Sequence, residues 1–122
     1  EVVTVCPEVL GGLPIPRKPA EIINGTGYDV LEGTAQVISN DGEDLTTPFL
    51  LGAKRTLELA REYDVNLVIL KSNSPSCGVG EIYDGTFSHR LREGCGVTAA
   101  LLKENGFSVV SDVEYLKERG QE

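Results

Sequence analysis

Asn66-Leu67-Val68-Ile69-Leu70-Lys71 holds four consecutive apolar residues between polar neighbours. A run of that length with no polar alternation reads as a strand covered on both faces, as in a parallel sheet. On its N-terminal side, Phe49, Ala53, Leu57 and Ala60 recur at helical spacing, which predicts an amphipathic helix over residues 48–63. Thr47 followed by Pro48 looks like its N-cap and first position, with Asp44 and Thr46 serving the helix start. On its C-terminal side, residues 72–94 read as a long loop with Pro75 and several glycines. Residues 96–105 then form a helix with Val97, Ala100 and Leu101 on one face, stopped at Gly106. Residues 107–110 are a further strand. Ser111-Asp112-Val113-Glu114 has the form of a capping box and opens a last helix.

Val2-Val3-Thr4-Val5, apolar and β-branched, is a strand ending at Cys6. Residues 7–27 show no period, and a loop this long in a small domain is usually functional. Residues 28–31 and 35–39 read as two short strands of a hairpin, and Asn40-Asp41-Gly42 as a turn. The alternation of strands and helices implies an α/β fold, a Rossmann-like three-layer domain with a mainly parallel sheet.

The chain has 122 residues, which makes one domain, and no internal boundary or repeat is visible. That length buries roughly two-thirds of the unfolded surface, so disulfides are not needed for folding. Hydrophobic residues at 40% and charged residues at 25% argue against a disordered or fibrous chain. Lys+Arg 11 against Asp+Glu 19 gives a net charge of −8, which disfavours general nucleic-acid binding. No apolar run approaches the ~20 residues of a membrane span. The three cysteines, Cys6, Cys77 and Cys95, are an odd set that points to reduced thiols and a cytoplasmic location. The chain contains no Met, so it is expected to lack its true beginning.

Both long loops leave the carboxyl end of an expected parallel strand, the edge where open α/β sheets bind ligands. That brings Cys6 and Cys77 toward one pocket, with Glu8, Ser74 and Ser76 as polar neighbours. The alternative is that both thiols are ordinary small core residues. Arg17 reads as solvated or ion-paired, Asp84-Gly85 as a turn, and His89 as an exposed loop residue. Cys95, between Gly94 and Gly96 at a helix start, reads as incidental.

Cys6-Pro7-Glu8-Val9-Leu10-Gly11-Gly12-Leu13-Pro14-Ile15-Pro16-Arg17 and Ser74-Pro75-Ser76-Cys77-Gly78 occur in order. Ile82-Tyr83-Asp84-Gly85-Thr86-Phe87 and Gly96-Val97-Thr98-Ala99-Ala100-Leu101-Leu102 follow them. Over nearly the whole chain this pattern resembles the 2-thiouracil desulfurase family. The resemblance implies a [4Fe-4S] cluster held by three cysteines with one iron open, and release of sulfide from a thiolated pyrimidine or similar thioamide heterocycle. It implies that Cys6 and Cys77 are two of the ligands. The third lies in an N-terminal Cys-Leu-Leu-Gly strand end of the family that is absent from this chain, so the cluster itself is in question for residues 1–122. Thiolates suit iron–sulfur clusters, and soft sulfur suits such an iron.

Glu8, two residues after a ligand, is expected as general base or proton shuttle for the attacking water. Ser76 is expected to position water or the substrate oxygen; a loop hydroxyl bonding nearby backbone is the rival reading. The rival functions are a non-catalytic metal-binding or nucleobase-binding module. A zinc module would show closely spaced ligand pairs such as C-x-x-C, which the sequence lacks.

Overall fold

The computed structural model describes residues 7–12, 19–65, 67–70 and 75–111. The strand expected at residues 2–5, the capping box expected at residues 111–114 beyond Ser111, and the helix after it lie outside the described residues, as do Cys6, Arg17 and Ser74. The side chain of Glu8 lies outside them too.

In chain order the elements are α1 (Pro7–Leu10), β1 (Ala20–Ile23), α2 (Gly27–Glu32), β2 (Gln36–Ser39) and α3 (Thr46–Glu62). They continue with β3 (Leu67–Leu70), β4 (Glu81–Tyr83), β5 (Leu91–Glu93), α4 (Val97–Glu104) and β6 (Ser108–Ser111). The fold is therefore mixed α/β. β3 and β6 pair in parallel, Leu67 opposite Ser108 and Leu70 opposite Ser111, with α4 between them in sequence. This is the parallel pairing expected from the two apolar runs. Among the described residues the other ladders, β1 with β2 and β4 with β5, are antiparallel. No described helix is long and apolar enough to cross a membrane.

α3 joins two cores. Phe49 and Ala53 pack in a cluster with Ile22, Val30, Val37, Ile82 and Val97. Two turns on, Leu57 and Ala60 pack with Leu70, Cys77, Cys95, Ala99, Ala100 and Leu102. The apolar stripe read from the sequence is thus the seam between α3 and the rest. Each large aliphatic side chain fully buried there contributes about 1.5–3 kcal/mol.

Five expectations need correction. Residues 28–31 are not a strand but the body of α2. The Thr26 main-chain N–H donates to Asp29 Oδ2 at 2.8 Å, and Gly33 closes the helix in the left-handed region at φ 86°. A Thr-x-x-Asp cap and a C-terminal Gly outweigh the β propensity of Tyr28 and Val30. Residues 7–27 are not all loop: they contain α1 and β1, and β1 is the partner of β2, Ile22 facing Val37. Residues 72–94 contain the β4–β5 hairpin, whose arms of three residues are too short for a visible alternation. α3 begins at Thr46, not at Pro48. The N-cap is Leu45, and Asp44, one residue earlier, accepts the Thr46 main-chain N–H on its Oδ1 at 2.9 Å. Finally, among the described residues β3 is covered on one face: Val68 and Leu70 turn to the core, while Leu67 and Ile69 keep 45% and 43% exposure.

Candidate active site

The 75–78 turn follows β3 and carries Cys77. It rests on the first turn of α4. Val97 N–H donates to the Pro75 carbonyl at 2.8 Å, and Thr98 and Ala99 N–H donate to the Ser76 carbonyl at 2.8 and 3.2 Å. Gly96 N–H donates to the Gly78 carbonyl at 2.9 Å. The N–H groups that an α-helix leaves open at its start are therefore spent on holding this turn. The positive end of the helix dipole lies beneath it and favours negative charge at that place.

Gly96 permits the contact. A Cβ there would lie 2.5 Å from the Pro75 and Ser76 carbonyl oxygens. The β4–β5 ladder also runs on into the turn. Gly94 N–H donates to the Gly80 carbonyl at 2.9 Å, in the register that pairs Glu81 with Glu93. The Gly96–Gly78 bond is the next rung. The hairpin thus ties the Cys77 turn to the Gly94–Gly96 segment on the other strand.

Cys77 is buried, 5% exposed, within the second core cluster. Ser76 is wholly buried, and its Oγ lies 2.6 Å from Thr98 Oγ1. Cys95 is free and 6% exposed. Lys103 Nζ sits 3.5 Å from its Sγ, and its carbonyl accepts the Gly27 N–H at 2.7 Å. Among the described residues, no three His, Cys, Asp or Glu side chains gather closely enough to hold a metal ion.

The segment after Cys6 is fixed by α3. A Cβ at Gly52 would overlap the Pro7 carbonyl, and one at Gly11 would overlap the Pro48 carbonyl. Two glycines facing one another let α1 lie on α3 at backbone distance. Arg55 Nη1 donates to the Leu10 carbonyl at the end of α1. This places Glu8 within a helix whose first residue, Pro7, is buried.

The remaining polar candidates are structural. Asp84 Oδ1 accepts the Thr86 hydroxyl at 2.6 Å and the Thr86 N–H at 3.0 Å, which makes it the turn residue expected. Those bonds, the hydroxyl's first, hold its carboxyl below the ordinary value. His89 is exposed, with its ring edge-on to Tyr83 at 6.3 Å. Sequence reasoning missed Glu21. It is a buried carboxylate on β1 whose Oε1 accepts the N–H groups of Gly85 at 2.9 Å and Phe87 at 3.1 Å. It ties the hairpin tip to β1, and only recognition of Ala20–Ile23 as a strand would have flagged an acid in its interior.

The chain is a mixed α/β domain with a cysteine-bearing turn after the parallel strand β3. The chain belongs to the 2-thiouracil desulfurase family, whose sequence model matches residues 1–114. The uncharacterised protein YbbK of Bacillus subtilis (strain 168) is 55% identical over 114 residues, which span 93% of this chain and 76% of YbbK. A solved structure of the [4Fe-4S]-dependent thiouracil desulfidase TudS matches with a TM-score of 0.81 at 37% identity, over 94% of this chain and 70% of that one.

Proposed function

We propose that the protein is an iron–sulfur-dependent desulfurase that removes sulfur, as sulfide, from a thiolated pyrimidine or a similar thioamide heterocycle. The observation that carries this is the seating of Cys77: a buried thiol in the turn that follows β3, held by four N–H groups of the α4 start. Family membership and the likeness to a [4Fe-4S]-dependent thiouracil desulfidase support it.

The donor chemistry fits the group. Cys6 is read from the sequence at the end of a strand and Cys77 in the loop that leaves β3, and thiolates are what iron–sulfur clusters require. In this reading they supply two of the cluster's ligands. A bound cluster with one open iron would supply a soft Lewis acid for the substrate sulfur. The overall change is a hydrolysis: the oxygen of water bonds to the carbon that carried sulfur, the carbon–sulfur bond breaks, and the two protons leave with sulfide. No electrons are exchanged with another reactant. Glu8, near the start of α1, accepts the proton of the attacking water. Ser76 positions water or the substrate oxygen.

The architecture proposed around this site is a single, Rossmann-like three-layer domain in which residues 2–5 extend the parallel β3–β6 pair. The proposed setting is the cytoplasm, where thiols stay reduced. The test is anaerobic reconstitution of the full-length protein, with iron, acid-labile sulfide and visible absorption measured together and sulfide release followed from 2-thiouracil. Iron and labile sulfide in equal amounts with sulfide release supports the reading. Zinc in place of iron, or a cluster without turnover, contradicts it and favours a binding module.

A further inference from the structure

We infer that Thr98 is a positioning residue for the site, acting through Ser76 on the direction of Cys77. Thr98 holds Ser76 at two points. Its main-chain N–H donates to the Ser76 carbonyl at 2.8 Å, and its Oγ1 lies 2.6 Å from Ser76 Oγ. Both side chains are wholly buried.

Threonine suits this task. Branching at Cβ restricts χ1, so its hydroxyl is presented in a fixed direction. The first turn of α4 fixes the backbone beneath it, because Val97 and Ala99 N–H also donate into the 75–78 turn. With its carbonyl and hydroxyl both held, Ser76 cannot rotate the peptide that joins it to Cys77. That peptide sets the direction in which the Cys77 Cα–Cβ bond leaves the turn.

The inference rests on the proposed function for its reading of Cys77 as a ligand, and its test separates the two. The variants are Thr98→Val, which keeps the shape and the main-chain bond but removes the hydroxyl, and Thr98→Ser, which keeps the hydroxyl. Val37→Ala, a core deletion in the other hydrophobic cluster, controls for general destabilisation. In the full-length protein three quantities are measured: iron retained per protein, kcat and KM for sulfide release from 2-thiouracil, and the alkylation rate of Cys77 in the metal-free protein.

Thr98→Val is expected to lose ~10–100-fold in iron affinity or kcat, the range for residues that orient metal ligands, and to speed Cys77 alkylation. Thr98→Ser should restore wild-type behaviour on all three. Val37→Ala should lower Tm and leave the other readings in place. A Thr98→Val protein equal to wild type, or a Thr98→Ser protein as impaired as Thr98→Val, overturns the inference. A wild type that binds no iron and releases no sulfide overturns the proposed function, and the inference with it.

Discussion

The main-chain N–H of Gly96 donates to the carbonyl oxygen of Gly78 at 2.9 Å. This bond joins the residue after Cys77 to the residue after Cys95, and it does so where a side chain at position 96 has no room. Gly96→Ala is expected to destabilise the protein by about 1–3 kcal/mol, the usual cost of overpacking, because the atoms it meets are backbone and cannot swing aside. Urea denaturation measures the loss, and iron content in the same variant should fall with it.

Gly52→Ala tests the seat of α1. In an exposed helix interior this change would stabilise by about 1 kcal/mol, since Gly is the poorer helix former. Here the added Cβ overlaps the Pro7 carbonyl, so the sign should reverse. The variant should be less stable in urea. Its rate of sulfide release should fall further than its stability alone explains, because α1 carries Glu8.

Glu21→Ala should cost about 1–3 kcal/mol, since the N–H groups of Gly85 and Phe87 lose their acceptor. Glu21→Gln keeps an oxygen in place and should cost much less. Amide hydrogen exchange at Gly85 and Phe87 gives the local readout: faster in Glu21→Ala, near wild type in Glu21→Gln.

Asp44 gives a pH signature. The Thr46 hydroxyl, and then the Thr46 N–H, hold its carboxyl below the ordinary value. A depressed folded-state value stabilises the fold above the unfolded carboxyl's pKa of about 4 and is lost as pH falls through the folded one. Asp44 is exposed, so solvent screening keeps the effect small. Asp44→Asn should therefore lower stability slightly at neutral pH and narrow its gap to wild type below about pH 4. NMR titration of the Asp44 carboxyl is the direct check.

Much of the frame was legible because it rests on long periodic signals. The stripe Phe49, Ala53, Leu57 and Ala60 marked α3, and the apolar runs at 67–70 and 107–110 marked the parallel pair. The Cys77 turn followed from topology, since it leaves a strand of that pair. Short elements were lost. β4 and β5 have three residues each, and β1 has four with an acid among them. α2 went astray because Tyr28 and Val30 favour strands, while its cap is a single Thr–Asp pair. The contacts of Gly52 with Pro7 and of Gly96 with Ser76 join segments distant in sequence, and no local pattern announces them. The Ser76–Thr98 hydroxyl pair spans 22 positions and was invisible for the same reason.

The most direct test of the central claim is iron per protein measured beside the rate of sulfide release in full-length Cys6→Ser, Cys77→Ser, Glu8→Gln and Cys95→Ser. Cys6→Ser and Cys77→Ser should lose both iron and turnover, since each removes a ligand. Glu8→Gln should keep its iron while turnover falls by ~10²–10⁴, the range for loss of a general base. Cys95→Ser should keep both, as its thiol contacts Lys103 and supplies no ligand in this account. Loss of iron in Cys95→Ser with retention in Cys77→Ser would contradict the account and move the site from the end of β3 to the Gly94–Gly96 segment.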